Sequence, residues 1–481
     1  MPPYALTLIR LLSQPRRATY NVLSAFRPQP STSDRHAGSH PLKITVIGLG
    51  YVGAVVASGL SAAGHAVLGI DIDHERLATL QAGKVHLYEP GLEARVAEGV
   101  RSGRLRFLHR DEVSEPLGDA AVVATGTPPT DSGAADLSQV QSAVGWIKAR
   151  KPRDLVVVMK STVPPGVGQR LLQTDLRGTG IRYASNPEFL REGRAVADWD
   201  APDRIVIGAD PSMNSGGDDH AVAVVKGMHA GIDAPHLVTD ITSAEMVKYA
   251  SNAFLATRIS FINEIALLCE RIGASIDAVS EGLAMDRRAG ARIYAGVGYG
   301  GSCFPKDVRA LDYLALTSGV SVDLLRSVIN VNNRQRMLPL YALRRRFNGA
   351  LSGVRVGVLG LAFKPETDDV RDAPSLSLIR ELVDEGVQVL AFDPQANDTA
   401  RRQLPAAVRL TANPVEAVEG AKAAVLLTEW PQIVRAEWPC IAAAMRPPRL
   451  LFDGRNALDP DAMRALGFEY AGVGRKRLPI P

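Results

Sequence analysis

The sequence predicts an α/β fold in which two Rossmann-like domains are joined by a long central helix. A buried strand followed by a glycine-rich turn begins near Lys43, and the same pattern returns near Val354. Between them, apolar residues recur at helical spacing from about Ser243 to Ile272. With 481 residues, the chain is long enough for two or three domains with separate hydrophobic cores.

The first 41 residues are rich in Arg and Ser and contain one acidic residue, Asp34. This composition is similar to that of a transit peptide. The turn-rich run STSDRHAGSHP favours the alternative, a basic extension that is disordered or that follows an upstream start codon. We therefore exclude residues 1–41 from the predicted fold.

The first Rossmann unit begins with KITVIGLGYVG. The β-branched run Ile44–Ile47 leads into a G-x-G-x-x-G turn, which is followed by small and apolar residues at helical spacing. We expect Gly48 to make the tight turn, Gly50 to let the backbone approach a pyrophosphate, and Gly53 to let the helix pack closely. The turn and the first helical residues therefore form a dinucleotide site at a helix N-terminus.

The second strand of this unit ends in Asp71, 18 residues after Gly53. A carboxylate at this position accepts hydrogen bonds from both ribose hydroxyls and repels a 2′-phosphate, so the predicted cofactor is NAD. Arg76 is near enough to leave a phosphate contact open, and its alternative is a solvated helix position. The predicted cofactor residues of this unit are Gly48, Gly50, Tyr51, Val52, Gly53, Asp71 and Arg76.

Three further segments are predicted to be buried strands followed by polar turns: AAVVATGTPP, LVVVMKSTVPPG and IRYASNPEFLREG. In an open parallel sheet, ligands bind at the carboxyl ends of the strands, where Thr127, Thr162 and Glu188 fall. Each threonine has a structural alternative as a helix N-cap.

The stretch from Ser243 to Ile272 predicts one long, mostly buried helix, with Phe254 and Phe261 on its apolar stripe. Lys248 and Asn252 are four residues apart, so both point from one face and offer an ammonium and an amide to the same spot. The alternative for this pair is a solvated edge. A second helical region is expected around residues 307–333.

A second α/β unit begins with VRVGVLGLAF at Val354. It contains Gly357 and Gly360 but no third glycine, so we expect a Rossmann-like unit without a second NAD. Further strands are predicted within residues 387–394, 423–430 and 448–459.

Composition narrows the class of protein. Hydrophobic residues make up 46% and charged residues 22%, and the net charge of +4 is small for this length. We therefore expect a protein with no nucleic acid or membrane partner, and we assign no metal site. The three cysteines, Cys269, Cys303 and Cys440, are odd in number and far apart, which favours free thiols in a reducing, cytoplasmic setting.

Seven motifs stand in a specific order: GLGYVG, GTP, KSTVPPG, SNPEFLREG, GYGGSCFPKD, AFKPETDDVRDAPS and FDGRNALD. By these motifs, the chain resembles the UDP-glucose/GDP-mannose dehydrogenase family from about residue 43 to residue 470. The resemblance implies that the primary alcohol of UDP-glucose is oxidised twice, with two NAD reduced in succession. GDP-mannose is the open alternative substrate, and a non-catalytic NAD or redox sensor is the alternative of another class.

The resemblance also implies a role for the glycine-rich cysteine loop. Cys303 adds to the aldehyde as a thiolate, and the thiohemiacetal still carries a second hydride to donate, which leaves a thioester. We expect Gly298, Gly300 and Gly301 to clear space for the ligands. A helix that begins near Pro305 is expected to lower the pKa of the thiol.

By the same resemblance, Lys248 and Asn252 hold the developing oxyanion, and Glu188, supported by Thr162, activates the hydrolytic water. Asp307 raises the thiol pKa and pairs with a bound water or with Lys248. Further NAD contacts are Thr127, Thr162, Glu192 and Arg371. Substrate contacts are Glu188, Phe189, Leu190, Lys248, Asn252, Arg288, Tyr299, Gly300, Lys364 and Arg455.

Arg288 is expected to reach the substrate across a subunit interface, and Arg287 is the alternative. The central helix is the expected interface of a homodimer or higher homo-oligomer. The predicted organisation has four parts: a basic, disordered extension at residues 1–41, an NAD-binding Rossmann domain at 42–235, a central helical dimerisation domain with the cysteine loop at 236–338, and a Rossmann-like nucleotide-sugar-binding domain at 339–481.

Overall fold

The computed structural model describes residues 40–210 and 218–475, which contain two β-sheets and a long helix between them in sequence. The predicted α/β class and the long central helix are confirmed. The predicted N-terminal extension lies outside the described residues except for its last two, as does the end of the basic C-terminal tail.

The first sheet has eight strands, which are β1 (Lys43–Ile47), β2 (Ala66–Asp71), β3 (Leu105–His109), β4 (Ala120–Val123), β5 (Val156–Met159), β6 (Arg182–Ser185), β7 (Ile205–Ala209) and β8 (His236–Asp240). Their order is β3-β2-β1-β4-β5-β6-β7-β8, and neighbours are parallel except for β6 and β7. Strand β8 lies beyond the domain end predicted at residue 235.

The connecting helices of this half are α1 (Tyr51–Ala62), α2 (His74–Gln81), α3 (Leu92–Arg101), α4 (Ser138–Ala149), α5 (Val167–Gln173), α6 (Ala195–Asp200) and α7 (Asp219–Met228). Strands β4 and β5 are buried along their whole length, which explains their continuous apolar sequences. The strand order reverses between β1 and β4, so a ligand crevice is expected at their carboxyl ends.

The central helix is α8 (Ile241–Ile272), which begins after the capping side chain of Asp240 and ends at Gly273 in the left-handed conformation, with φ of 80°. Its buried face was predicted wrongly. The exposed fractions of Phe254 and Phe261 are 63% and 53%, so the apolar stripe faces outward.

Within residues 40–210 and 218–475, α8 is the one helix that is long and apolar enough to cross a membrane. Its buried residues include Glu245, Lys248 and Asn252. Because ionised side chains in a lipid-facing span are costly, this pattern fits the core helix of a globular fold.

Four helices follow, namely α9 (Ile276–Met285), α10 (Phe304–Thr317), α11 (Asp323–Arg336) and α12 (Leu338–Arg346). The helical region predicted around residues 307–333 is therefore two helices. Helices α10 and α11 both pack on α8, and α10 begins directly after Cys303.

The second sheet has six parallel strands in the order β11-β10-β9-β12-β13-β14. They are β9 (Arg355–Leu359), β10 (Gln388–Phe392), β11 (Arg409–Leu410), β12 (Ala423–Leu426), β13 (Leu450–Asp453) and β14 (Glu469–Gly472). Its helices are α13 (Pro374–Asp384), α14 (Asn397–Arg401), α15 (Pro414–Ala417), α16 (Pro431–Val434), α17 (Trp438–Ala444) and α18 (Pro460–Ala465).

Candidate active site

The glycine-rich turn has the geometry of a dinucleotide cradle. Gly48 has a φ of +89°, and a Cβ on Gly53 would lie 1.8 Å from the carbonyl oxygen of Gly48. A Cβ on Gly50 would meet no described atom within 4 Å, so open space lies in front of the turn at this position. Helix α1 starts here with Gly50 as its N-cap, which leaves backbone N–H groups to meet a phosphate. These residues fit a bound dinucleotide.

The carboxylate of Asp71 lies at the end of β2 beside this turn. It accepts hydrogen bonds from the backbone N–H of Leu49 at 2.6 Å and of Ile72 at 2.8 Å, and from the guanidinium of Arg76 at 2.9 Å. Arg76 is therefore a partly exposed residue of α2 whose guanidinium is paired with Asp71. The ion pair occupies part of the carboxylate that was expected to meet a ribose.

A cleft with a volume of about 530 Å³ opens between the dinucleotide turn and the start of α10. It brings together residues that are separated by more than half of the chain. The residues predicted for the site that line this cleft are Gly50, Tyr51, Val52, Thr127, Thr162, Glu188, Leu190, Glu192, Cys303, Asp307 and Arg371.

Cys303 is the N-cap residue of α10, and Pro305 lies in the first turn of that helix. The prediction of a lowered thiol pKa is wrong. Burial raises the pKa of Cys303 to about 11, and the carboxylates of Glu188, Asp307 and Glu192 add to this, while the ammonium of Lys248 opposes it.

Lys248 and Glu188 form a buried ion pair with a distance of 2.8 Å between Nζ and Oε1. Burial lowers the pKa of Lys248, but Glu188 and the nearby Cys303 and Asp307 outweigh burial, so the pKa lies above its ordinary value. Lys248 therefore stays an ammonium near neutral pH.

Asn252 lies one turn after Lys248 on α8 and donates a hydrogen bond from Nδ2 to Asp307 at 2.6 Å. The other oxygen of Asp307 pairs with the ammonium of Lys306. The prediction that Asp307 pairs with Lys248 is therefore wrong, because Lys248 is bound to Glu188 instead.

Glu192 lies on the other side of the thiol. Ser302 donates a hydrogen bond from Oγ to Oε1 of Glu192 at 2.8 Å, and Arg371 reaches the same oxygen at 3.4 Å. Burial and the charge of Asp369 raise the pKa of Glu192 to about 8. Burial lowers the pKa of Lys364, and the nearby charges of Glu192 and Cys303 act in the opposite direction.

Family models for three consecutive domains match this chain. They are the UDP-glucose/GDP-mannose dehydrogenase NAD binding domain at residues 42–225, the central domain at 242–334 and the UDP binding domain at 357–460. The chain belongs to the UDP-glucose/GDP-mannose dehydrogenase family. The first match confirms the predicted NAD cofactor, and the chain is an enzyme of this nucleotide-sugar dehydrogenase family.

Named members of the family cover almost the same length. A UDP-glucose 6-dehydrogenase of Bacillus subtilis (strain 168) is 43% identical over 90% of this chain and 98% of its own. A UDP-glucose 6-dehydrogenase of Pseudomonas aeruginosa is 43% identical over 91% and 98%. A solved UDP-glucose dehydrogenase from the archaeon Pyrobaculum islandicum has a TM-score of 0.82, with 38% identity over 92% of this chain and 99% of that chain.

The cysteine loop of this dehydrogenase does not clear space in the way that was predicted. A Cβ on Gly298 would lie 2.5 Å from Asn332, one on Gly300 would lie 2.4 Å from the carbonyl oxygen of Asp372, and one on Gly301 would lie 2.8 Å from the ring of Phe363. These glycines let the loop pack tightly against its neighbours. The loop is therefore closely packed, and only Gly301 among these three glycines lines the cleft.

Two other predicted substrate residues, Tyr299 and Arg288, do not line the cleft. Tyr299 is buried in a core cluster with Ala253 and Val308, so its ring packs in the interior and does not line the cleft. Arg288 is exposed and paired with Asp286, so the structure does not bring it to the cleft of its own chain. Arg287, its alternative, is also exposed.

Three further residues that were predicted to contact the substrate are Arg455, Leu190 and Phe189. Arg455 donates hydrogen bonds to the carbonyl oxygens of Phe363 at 2.9 Å and Gly298 at 3.3 Å, which ties the second sheet to the cysteine loop. Leu190 lines the cleft, and Phe189 lies under the guanidinium of Arg204 at 3.6 Å in a smaller cavity behind it.

Sequence reasoning missed two lysines. Lys160 is buried, donates a hydrogen bond to Asn186 at 2.7 Å and lines both cavities beside Glu188. Burial lowers its pKa to about 8. Lys306 pairs with Asp307. A lysine at the end of an otherwise apolar strand, as in VVVMKST, was the signal available for Lys160.

Proposed function

We propose that this enzyme is an NAD-dependent UDP-glucose 6-dehydrogenase, which oxidises UDP-glucose twice and releases UDP-glucuronate. One observation supports it most strongly: the thiol of Cys303 shares a single cleft with the dinucleotide turn and with Glu188. A dehydrogenase that stops after one oxidation has no use for a nucleophile there. The substrate is proposed from the names of the relatives, which are UDP-glucose 6-dehydrogenases.

Lys248 and Asn252 are suited to hold the oxygen that gains negative charge at each oxidation. The ammonium of Lys248 has three donors and gives one to Glu188, while the amide of Asn252 has two and gives one to Asp307. Both side chains are buried, so their remaining donors act where water is scarce. Bound NAD supplies the hydride acceptor for both oxidations.

Cys303 supplies the covalent intermediate. Its sulfur adds to the carbon of the aldehyde, and the C–H bond that remains donates the second hydride, which leaves a thioester. Lys248 is the cation that favours the thiolate most strongly at this site. The raised thiol pKa means that the thiolate must be formed during turnover, by a group that accepts its proton.

Glu188 is the proposed base for cleavage of the thioester. Its two oxygens accept hydrogen bonds from Lys248 and from the backbone N–H of Leu190, which fixes the carboxylate in place. Glu188 also lines a cavity of about 60 Å³ together with Lys160 and Asn186. This volume is large enough for water, and these polar groups can hold one beside the base.

The decisive experiment is the yield of NADH per sugar with purified enzyme. We expect two NADH per UDP-glucose consumed and UDP-glucuronate as the product. GDP-mannose is the second candidate substrate, and a higher kcat/KM for it than for UDP-glucose would overturn the proposed substrate. One NADH per sugar would overturn the four-electron reaction.

Cofactor selectivity tests the role of Asp71. We expect NAD to be preferred over NADP by more than about tenfold in kcat/KM, because the carboxylate repels a 2′-phosphate. The Asp71→Ala variant should narrow this ratio, and it also frees Arg76, which is now paired with Asp71. Equal kcat/KM values for the two cofactors in the wild type would contradict the assignment. Asp73→Ala is the matched control, because Asp73 is bound to the same arginine but lies two residues beyond the end of β2.

The exposed apolar face of α8 supports the proposed homodimer. Phe254, Phe261 and Leu268 recur every seven residues, and each is more than half exposed. The Phe261→Asp variant should therefore shift the protein to a monomer in sedimentation velocity, with the secondary structure unchanged by circular dichroism. Leu316→Asp on α10, which is 63% exposed, is the matched control and should stay dimeric. A wild-type monomer at micromolar concentration would contradict the proposal.

A further inference from the structure

The proton of the Cys303 thiol has no destination in the roles described so far. Lys248 stays protonated, so it cannot accept this proton. Glu188 is bound through its two oxygens to Lys248 and Leu190, and Asp307 through its two oxygens to Asn252 and Lys306. Within the part of the chain that the structure describes, neither carboxylate forms a hydrogen bond to the sulfur.

Ser302 connects the sulfur to a third carboxylate. Its Oγ lies 3.5 Å from the Sγ of Cys303 and 2.8 Å from the Oε1 of Glu192. A serine hydroxyl has one hydrogen, and an oxygen of Glu192 in its ionised form can only accept it. The hydrogen of Ser302 is therefore donated to Glu192, and its oxygen lone pairs face the thiol.

We propose that Ser302 is a proton relay that moves the proton of the Cys303 thiol to Glu192 when the sulfur attacks the aldehyde. The S–H bond breaks as its proton passes to Oγ of Ser302, and the hydroxyl hydrogen of Ser302 passes to Oε1 of Glu192. The products are a thiolate and a neutral carboxylic acid, so the number of protons and the net charge of the site do not change. The aldehyde in this inference rests on the proposed function. The hydrogen-bonded chain from Cys303 through Ser302 to Glu192 does not.

The electrostatics of the pair favour sharing one proton. The charge of Glu192 raises the pKa of Cys303, and burial with the charge of Asp369 raises the pKa of Glu192 to about 8. The relay therefore works in the ionised form of Glu192, which predominates above about pH 8. Once Glu192 takes the proton, its repulsion of the thiolate is removed. The charged and titratable groups around the two partners are Lys248, Glu188, Asp307, Lys364, Arg371, Asp369 and Tyr51.

The first test uses the full-length enzyme without substrate. The rate of Cys303 alkylation by iodoacetamide is measured against pH by peptide mass, which separates it from Cys269 and Cys440. Proton sharing predicts two rising steps in the wild type and one step in Glu192→Gln, because an amide cannot take the proton. A single high-pH step in the wild type would overturn the proposal, whatever the substrate of the enzyme is.

The second test measures the two NADH phases after rapid mixing with NAD and UDP-glucose. Ser302→Ala should slow the second phase at least about tenfold more than the first, because only the second requires thiolate addition. Ser302→Thr keeps the hydroxyl and should restore most of the lost rate. Ser260→Ala is the control, since Ser260 is a buried serine of α8 that bonds to Val328. A second phase in Ser302→Ala that equals the wild type would overturn the relay, whereas absence of NADH in the wild type would overturn the proposed function.

Discussion

The Cys303→Ala variant is expected to lose steady-state production of UDP-glucuronate, on the order of 10³-fold or more, the scale on which loss of a catalytic nucleophile lowers kcat. Without sulfur, the aldehyde forms no thiohemiacetal, so a second hydride is not donated from a covalent adduct. At most one NADH per active site should appear. Binding of NAD and UDP-glucose should survive, because the dinucleotide turn and the lysines of the cleft are unchanged. The measurements are NADH per sugar and equilibrium binding of both ligands.

Cys303→Ser separates the nucleophile from its position. A serine hydroxyl is a weaker nucleophile near neutral pH, but once added it would leave an oxygen ester, which water cleaves slowly. We expect a slow burst and a trapped sugar adduct in the intact-protein mass. The matched control is Cys440→Ala, since Cys440 is exposed and does not line the cleft. Normal UDP-glucuronate production by Cys303→Ala would show that no covalent intermediate is needed.

Local steric rules allowed the dinucleotide turn to be predicted from the sequence. Gly48 has a positive φ, and a Cβ on Gly53 would overlap the carbonyl oxygen of Gly48. The need for glycine at both positions follows from the short G-x-G-x-x-G motif. The same holds for Lys248 and Asn252, whose spacing of four places them on one face of α8. Their partners, Glu188 and Asp307, are 60 and 55 residues away and could not be paired by spacing.

The prediction of a lowered thiol pKa failed because the effects that decide this pKa are tertiary. A helix N-terminus next to Cys303 is visible in the sequence, and it favours a thiolate. Burial of the sulfur and the approach of Glu188, Glu192 and Asp307 are tertiary effects, and together they raise the pKa. In the same way, the period of the apolar stripe on α8 predicts a helix but not which surface covers Phe261, which is exposed in the single chain.

The Glu188→Gln variant is expected to stop at the thioester. The amide oxygen can still accept a hydrogen bond from Lys248, although the NH2 group loses the one from Leu190. Neither oxidation uses Glu188 as a base in the proposed mechanism, so a burst of two NADH per site should appear. An amide cannot take a proton from water, and loss of a general base lowers rates by about 10²–10⁴-fold, so steady-state turnover should fall by this factor. Intact-protein mass should then show a sugar-acid adduct on Cys303, which hydroxylamine releases because it cleaves thioesters. Glu115→Gln is the control, since Glu115 is a carboxylate that pairs with Arg106 outside the cleft. Full turnover by Glu188→Gln with no adduct would place the base elsewhere, and a burst of only one NADH would mean that Glu188 acts before the second oxidation.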